Sequence, residues 1–337
     1  MAKETFNIGG VSAAPGKLGK GFIKAGEFFD NSPVNMPVMV MNGAGEGPTL
    51  LIMSAVHGNE VVGSEAIKRV MASLDPKKVN GTIIGIPVVN IPAYLQNSRV
   101  NLMESPAGDN DLGNMLLKGG GIQGPQSQAI ANILHEKVFP KAEYVIDLHS
   151  SAPGSYNYPR AIVIGDYVQL PQALKDKCNG LGKACNFEII FKPGKVKWEG
   201  MYFDPYTMFE STYGIASIIL ETGAAPTTED VETLLYGIDN IMKHLKMISG
   251  APAHKNKQIY IDRLVAFRTK NGGMFRLIAK MGSSVKKGDL IGEVTNFFNE
   301  VVETIRATEE GIIIKVATSA LISTGVRAAV IGTPVKG

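Results

Sequence analysis

The sequence predicts an α/β protein: a mixed, mostly parallel sheet flanked by helices, followed by a smaller all-β module. Between Pro48 and Met247, continuously apolar strand-length runs alternate with amphipathic helical segments, the pattern of a sheet covered on both faces. A polar, breaker-rich stretch, residues 250–257, reads as a linker. Beyond it no helical pattern recurs, and short strands are punctuated by Gly272-Gly273, Gly282, Gly288, Gly292, Gly311, Gly325 and Gly332. At about 150 residues per domain, 337 residues suggest two units, here 1–250 and 258–337.

The first 45 or so residues are rich in Gly and Pro with short extended runs, a β-rich lead-in. Residues 49–56 form the first buried strand. From Glu60 to Leu74, Val62, Ala66, Ile67, Val70, Met71 and Leu74 recur at helical spacing before Asp75-Pro76 stops the helix. Residues 82–89 read as the next strand. Ser127 to Phe139 reads as a helix with Ile130, Ile133, Leu134 and Val138 on its apolar face and His135 on its polar side. Strands are expected at 144–148, 161–164, 188–191 and 215–220, and helices at 169–184 and 228–247. Cys178 and Cys185, seven residues apart on one of these helices, lie about 10 Å apart at 1.5 Å rise per residue, too far for a disulfide.

Composition narrows the function classes. With 45% hydrophobic and 19% charged residues, and 34 basic against 31 acidic side chains, the chain can bury a core without staples. Its +3 net charge argues for neither a nucleic-acid nor a membrane surface. No apolar run approaches the roughly 20 residues that cross a bilayer. Residues 1–6 do not read as a secretory signal, so a cytoplasmic location is expected.

Chemistry concentrates at strand ends. His57-Gly58-Asn59-Glu60 follows one apolar strand and Asp147-Leu148-His149 closes another. In a parallel sheet the carboxyl ends of strands converge on the ligand site. Two imidazoles and a carboxylate, with water in the fourth position, suit an open catalytic Zn²⁺ site, and Asp147 stands where it can accept the second N–H of a ligand histidine. His-x-x-Glu alone is a common pattern; its placement after a buried strand is what singles it out. Glu221, in Glu221-Thr222-Gly223, ends a third apolar strand, where a carboxylate is costly unless paired or used; a proton shuttle, a cap and a lysine partner all fit.

These segments, with Gly47-Pro48-Thr49-Leu50, Asn90-Ile91-Pro92-Ala93 and Arg99 in the same order, resemble the succinylglutamate desuccinylase/aspartoacylase family of zinc-dependent amide hydrolases, related to the zinc carboxypeptidases. The resemblance implies a zinc-carboxypeptidase-like α/β fold and one Zn²⁺ held by His57, Glu60 and His149. It also implies Glu221 as general acid/base and Arg99 as the cation that polarises the scissile carbonyl. By the same resemblance the substrate is a small N-acyl compound and a homo-oligomer is plausible. The C-terminal segment from Gly282 to Val294, with Arg306 to Ile313, resembles biotinyl and lipoyl carrier domains, a barrel-sandwich-like fold. Its hairpin reads Phe297-Phe298-Asn299-Glu300, without the lysine a carrier needs.

One departure bears on the substrate. Family members carry Asp-Leu-Asn-Arg where this chain has Asp111-Leu112-Gly113-Asn114, so the Asn-Arg pair that grips a substrate carboxylate is lost. A neutral amide does not replace a bidentate guanidinium. N-acetylaspartate and N-succinylglutamate therefore become poor candidates. Asn114, Tyr158 and Arg160 are the expected substrate contacts, with Lys197 as a further cation, and the aromatic segment 198–206 fits either a pocket wall or ordinary packing. A carboxypeptidase-like peptidase and a non-catalytic ligand-binding protein are the competing functions.

Overall fold

The computed structural model describes residues 3–104, 110–194, 197–198, 201–202 and 207–335. The lead-in forms a hairpin, β1 (Phe6–Ile8) and β2 (Val11–Ala13), and two long antiparallel strands, β3 (Lys17–Glu27) and β4 (Pro33–Asn42). Next come β5 (Gly45–Ser54), α1 (Val62–Ser73) and β6 (Asn80–Ile86), with the two strands parallel. Helices α2 (Ile91–Leu95), α3 (Leu112–Lys118) and α4 (Gln126–Ile133) lead to β7 (Tyr144–His149) and β8 (Ser155–Ile162). Then follow α5 (Gln172–Cys185), β9 (Ile189–Phe191), the short pair β10 (Lys197–Trp198) and β11 (Met201–Tyr202), α6 (Thr207–Tyr213), β12 (Ala216–Gly223) and α7 (Thr228–His244). The remainder contains strands alone among the described residues: β13 (Ile259–Arg268), β14 (Gly273–Leu277), β15 (Ser284–Val285), β16 (Leu290–Thr295), β17 (Val301–Arg306), β18 (Gly311–Ala317), β19 (Leu321–Ile322) and β20 (Arg327–Pro334).

Strand order in the large sheet is β15-β18-β20-β13-β9-β8-β12-β7-β5-β6-β4-β3. Its centre alternates side chains between two cores. Leu50, Ile52, Ile146, Leu148, Ile218 and Leu220 pack with α1, α5 and α7 on one face. Leu51, Met53, Val145 and Ile84 pack with α3, α4 and the lead-in on the other. Residues with period-two alternation and apolar side chains on both faces are what a doubly covered strand requires.

Parallel pairing is confined to β12-β7-β5-β6 and β8-β9-β13, while the other neighbours run antiparallel. The sheet is thus mixed, as expected, but not mostly parallel. Apolar runs do not encode direction, so the antiparallel flanks were invisible to the periodicity argument. The strands after residue 258 do not stand apart from this sheet. β13 joins β9 in parallel, β18 pairs with β8, and β8-β9-β13-β20-β18 closes on itself as a barrel-like ring. A second sheet, β17-β16-β14-β19, packs over β13, β18 and β20 around Phe267, Phe275, Val294 and Ile331. Phe297 and Phe298 lie exposed on its β16–β17 hairpin.

The helix expected over 127–139 ends in a wider turn, since residues 134–138 follow α4 with π geometry. The extra residue in that turn rotates His135 inward, contrary to the polar-side expectation. It is buried, its Nε2 lies 3.0 Å from the Leu116 carbonyl oxygen and its Nδ1 2.5 Å from the Tyr213 hydroxyl. Cys178 and Cys185 are buried free thiols, both pushed up to about 12 by burial first.

Glu210 on α6 lies beneath β12, where its Oε1 accepts from the Ser217 amide at 3.1 Å and hydroxyl at 2.5 Å. Burial pushes its carboxyl up to about 7, against the Ser217 hydrogen bonds. A folded value above the ordinary 4.5 means the protonated form favours the fold. Its stabilisation is full below about pH 4.5 and is lost as pH rises through 7. Between pH 5 and pH 8, denaturant unfolding should show the wild type losing roughly 3 kcal/mol relative to Glu210→Gln. Parallel pH profiles for the two proteins would contradict this assignment.

Candidate metal centre and active site

β12, β7 and β5 are adjacent parallel strands, and each delivers a functional side chain at its carboxyl end. His149 closes β7 opposite Glu221 of β12. β5 ends at Ser54, level with Leu148, and the chain turns through His57 to Glu60 before α1 begins. That turn is tight: Ala55 adopts φ 55° and the Glu60 amide donates to the His57 carbonyl at 3.1 Å. Asn90 braces it by donating its side-chain amide to the Val56 carbonyl at 3.1 Å, while its Oδ1 accepts from the Ala93 amide of α2 at 3.3 Å. A Cβ on Gly58 would meet the backbone of Ala93 and Tyr94 at 2.2 Å, so only glycine fits beneath α2.

The sequence-predicted ligands meet. One ligand atom from each of His57, Glu60 and His149 lies within 4.8 Å of the others, and all three residues are buried. His149 Nδ1 is 2.8 Å from Glu60 Oε2 and His57 Nδ1 is 3.0 Å from Glu60 Oε1. His57 Nδ1 nevertheless has no hydrogen-bond partner of acceptable direction. An orphaned ring nitrogen beside a second imidazole and a carboxylate fits a divalent cation. The opposite ring nitrogens face acidic groups: His149 Nε2 lies 3.1 Å from Asp147 Oδ2, and His57 Nε2 lies 3.5 Å from Asp111 Oδ1. With the ring protons on Nε2, both Nδ1 lone pairs point at Glu60 and the space around it.

Electrostatics follow from this crowding. Burial works against the Glu60 charge, yet hydrogen bonds and charge from His149 and His57 hold its carboxyl well below the ordinary range. Burial likewise opposes charging of His149, but Asp147 and Glu60 raise it well above the usual imidazole value. Asp111, against its own burial, is held at about 2 by His57 and Arg99 and by the Gly113 amide. It also caps α3, accepting from that amide at 2.9 Å. Spacing gave no sign of the contact with His57, because 53 residues of chain lie between them.

Arg99 reaches in from the loop after α2, 3.2 Å from Glu60 Oε1 and 3.4 Å from Asp111 Oδ2. Half of its side chain is exposed. On the other flank, Glu221 forms an ion pair with buried Arg160 and accepts from the Asn157 side chain at 3.2 Å. Pairing explains this arrangement. Glu221 lies opposite Arg160 and Gly223 opposite Asn157, so three residues of β8 span two of β12. That bulge places Asn157 and Arg160 on the face of Glu221. Tyr158, expected at the substrate, is not brought to the cavity. Its hydroxyl donates to Glu188 at 2.5 Å and its ring packs on the barrel core. Strict alternation cannot foresee a bulge.

His57, Glu60, Arg99, Asp111, His149, Arg160 and Glu221 line one cavity of about 590 Å³, together with Gly113, Asn114, Ile162, Phe191, Ile219, Ile314, Lys315 and Arg327. The side chains of Lys197 and of the aromatic segment 198–206 lie outside the described residues. Lys315 and Arg327 were not singled out from the sequence. A lone lysine within Ile312-Ile313-Ile314-Lys315-Val316 was the available signal, since a charge inside an apolar strand needs a reason.

Residues 46–191 match the sequence model of the succinylglutamate desuccinylase/aspartoacylase catalytic domain. The chain is 27% identical over 333 residues to the N-alpha-acetyl-L-2,4-diaminobutyric acid deacetylase of Halomonas elongata, covering 94% of this chain and 92% of that one. It superposes on a succinylglutamate desuccinylase of Silicibacter sp. TM1040 with a TM-score of 0.80 at 24% identity, covering 94% and 95% of the two chains. The product-bound ectoine utilization protein EutE (DoeB) of Ruegeria pomeroyi gives a TM-score of 0.79 at 22% identity, with the same coverage. Strand-end motifs, their convergence in space and these likenesses agree: residues 46–191 are similar to the succinylglutamate desuccinylase/aspartoacylase catalytic domain, and the fold is shared along most of the chain.

Proposed function

We propose that the protein is a zinc-dependent hydrolase that cleaves the amide bond of a small N-acylated compound. The observation that carries this reading is the approach of His57, Glu60 and His149 ligand atoms to within 4.8 Å in a buried site opening on the cavity. When bound, Zn²⁺ supplies an acidified water and a Lewis acid for the substrate carbonyl. Asp147 fixes the tautomer and orientation of His149. Arg99, at the cavity wall beside Glu60, donates to the carbonyl oxygen as it gains negative charge, where a fixed cation is worth most. Glu221 takes the proton released by the attacking water and returns it to the departing nitrogen, held for this by Asn157 and Arg160. The acyl carbon thus gains the hydroxyl oxygen and loses the amine, and the proton count balances. Gly113 and Asn114 line the cavity where the family's carboxylate clamp stands, which speaks against a peptidase that grips a terminal carboxylate at that point. The Halomonas relative, named for deacetylation of an N-acetylated amino acid, supports an acyl-amide substrate.

The test is a hydrolysis panel of N-acyl amino acids and N-acyl amines, run before chelation, after chelation and after zinc is restored. Turnover that disappears with the metal and returns with it is expected, without a marked preference for N-acetylaspartate or N-succinylglutamate. Turnover indifferent to chelation contradicts the proposal.

A further inference from the structure

The second sheet, β17-β16-β14-β19, has two faces, and both are apolar at one end. Its inner face packs Phe275, Val294, Ile305 and Ile322 into the C-terminal core. The outer face carries a row across all four strands, since Leu321 pairs with Met274, Met274 with Thr295, and Thr295 with Val301. Leu321 is 72% exposed, and Met274 and Val301 are each half exposed. At the same end the β16–β17 hairpin presents Phe297 and Phe298, 98% and 83% exposed. Beside it lies a groove of about 460 Å³, lined by Gly272, Gly273, Met274, Leu321 and Phe297 among others. None of these residues lines the cavity at the metal centre. An antiparallel sheet with one face on a core turns polar side chains to water on the other. Here that alternation fails, and a contiguous apolar patch of this kind marks a contact with another protein.

The shape and charge of the face say what covers it. Two nearly bare phenylalanine side chains supply roughly 300–450 Å². With Leu321, Met274, Val301 and the neighbouring Arg276, the face comes to roughly the 800 Å² that each partner buries in a stable complex. The next outer row pairs Arg276 with Glu293, 2.6 Å apart, one charge of each sign. Such a face complements its own copy. A two-fold axis along the strands, between β14 and β16, sets Arg276 against Glu293 of a second copy and Leu321 against that copy's Val301. The same rotation lays the hairpin over the Gly272-Gly273 end of the second copy, where the groove opens. Knob and hole thus lie on one surface, as an isologous contact requires.

We propose that this outer face is the interface of a two-fold homodimer, with Phe298 of each copy seated between Met274 and Leu321 of the other. Arg276 and Glu293 form its polar rim, where they alternate in sign across the axis. The contact touches no residue of the metal centre or its cavity, so it stands apart from the hydrolase reading.

The experiment follows the full chain by sedimentation velocity and light scattering. The wild type should sediment as a dimer. Phe298→Asp and Leu321→Asp should each raise the dimer dissociation constant by about 30-fold or more, with unchanged far-ultraviolet circular dichroism. Charge reversal adds a result that misfolding cannot imitate. Arg276→Glu and Glu293→Arg should each be monomeric alone, because like charges then meet across the axis, and should dimerise with one another when mixed. A wild type that is monomeric at roughly 100 µM overturns the proposal and leaves the face to a different protein. A dimer undiminished by Phe298→Asp and Leu321→Asp overturns it too, as do reversal variants that dimerise alone or stay apart when mixed.

Discussion

Glu221→Gln is expected to lower kcat by about 10²–10⁴-fold, the range for losing a positioned general acid/base, while zinc content stays at the wild-type level. Glutamine keeps the shape and can still accept from Asn157, whose donor lies 3.2 Å from Glu221 Oε1. It cannot carry the proton from water to amine. Arg160 loses its anionic partner in the variant, so a modest fall in stability accompanies the kinetic loss. Single-turnover kinetics with metal analysis separates the two effects. A Glu221→Gln enzyme within tenfold of wild type would remove the carboxylate from the chemistry and leave it as a partner for Arg160.

A larger effect is expected on removing a ligand. Glu60 faces His57 and His149 and accepts from Arg99 and the Ser150 amide, so neutralising it removes the one carboxylate of the ligand set and weakens its hold on those donors. Glu60→Gln should abolish detectable turnover and weaken zinc binding by more than Asp147→Asn. The latter removes an orienting partner of His149 and should weaken zinc binding about 10–100-fold. The ranking is the informative part, because a merely structural carboxylate at either position would not order the two variants by metal affinity. Competition with a chromophoric chelator reads it directly.

Much of this site was legible in the sequence because strand ends announce themselves. Apolar runs that stop at His57, His149 and Glu221 place those residues at the carboxyl edge of a sheet, and β5, β7 and β12 prove to be neighbours. What the sequence could not carry was register. The bulge in β8 exchanges Tyr158 for Asn157 at Glu221, and the bulge in β18 turns Lys315 to the cavity wall. Both depend on hydrogen-bond pairing between strands far apart in the chain, and neither leaves a mark in side-chain periodicity. The same holds for the closure of β8 with β18, by which the C-terminal strands come to wall the cavity lined by His57, Glu60 and His149. His135 errs for a local reason, a single wider helical turn that no propensity encodes.

The central measurement is the zinc content of the purified chain after chelation and equilibrium dialysis against a zinc buffer, compared with His149→Ala. One ion per wild-type chain, held tightly and absent from the variant, is the predicted result. A wild-type chain that takes up no zinc, or a variant that binds as much as the wild type, would mean that two imidazoles and a carboxylate gathered at these strand ends serve some purpose other than gripping a cation.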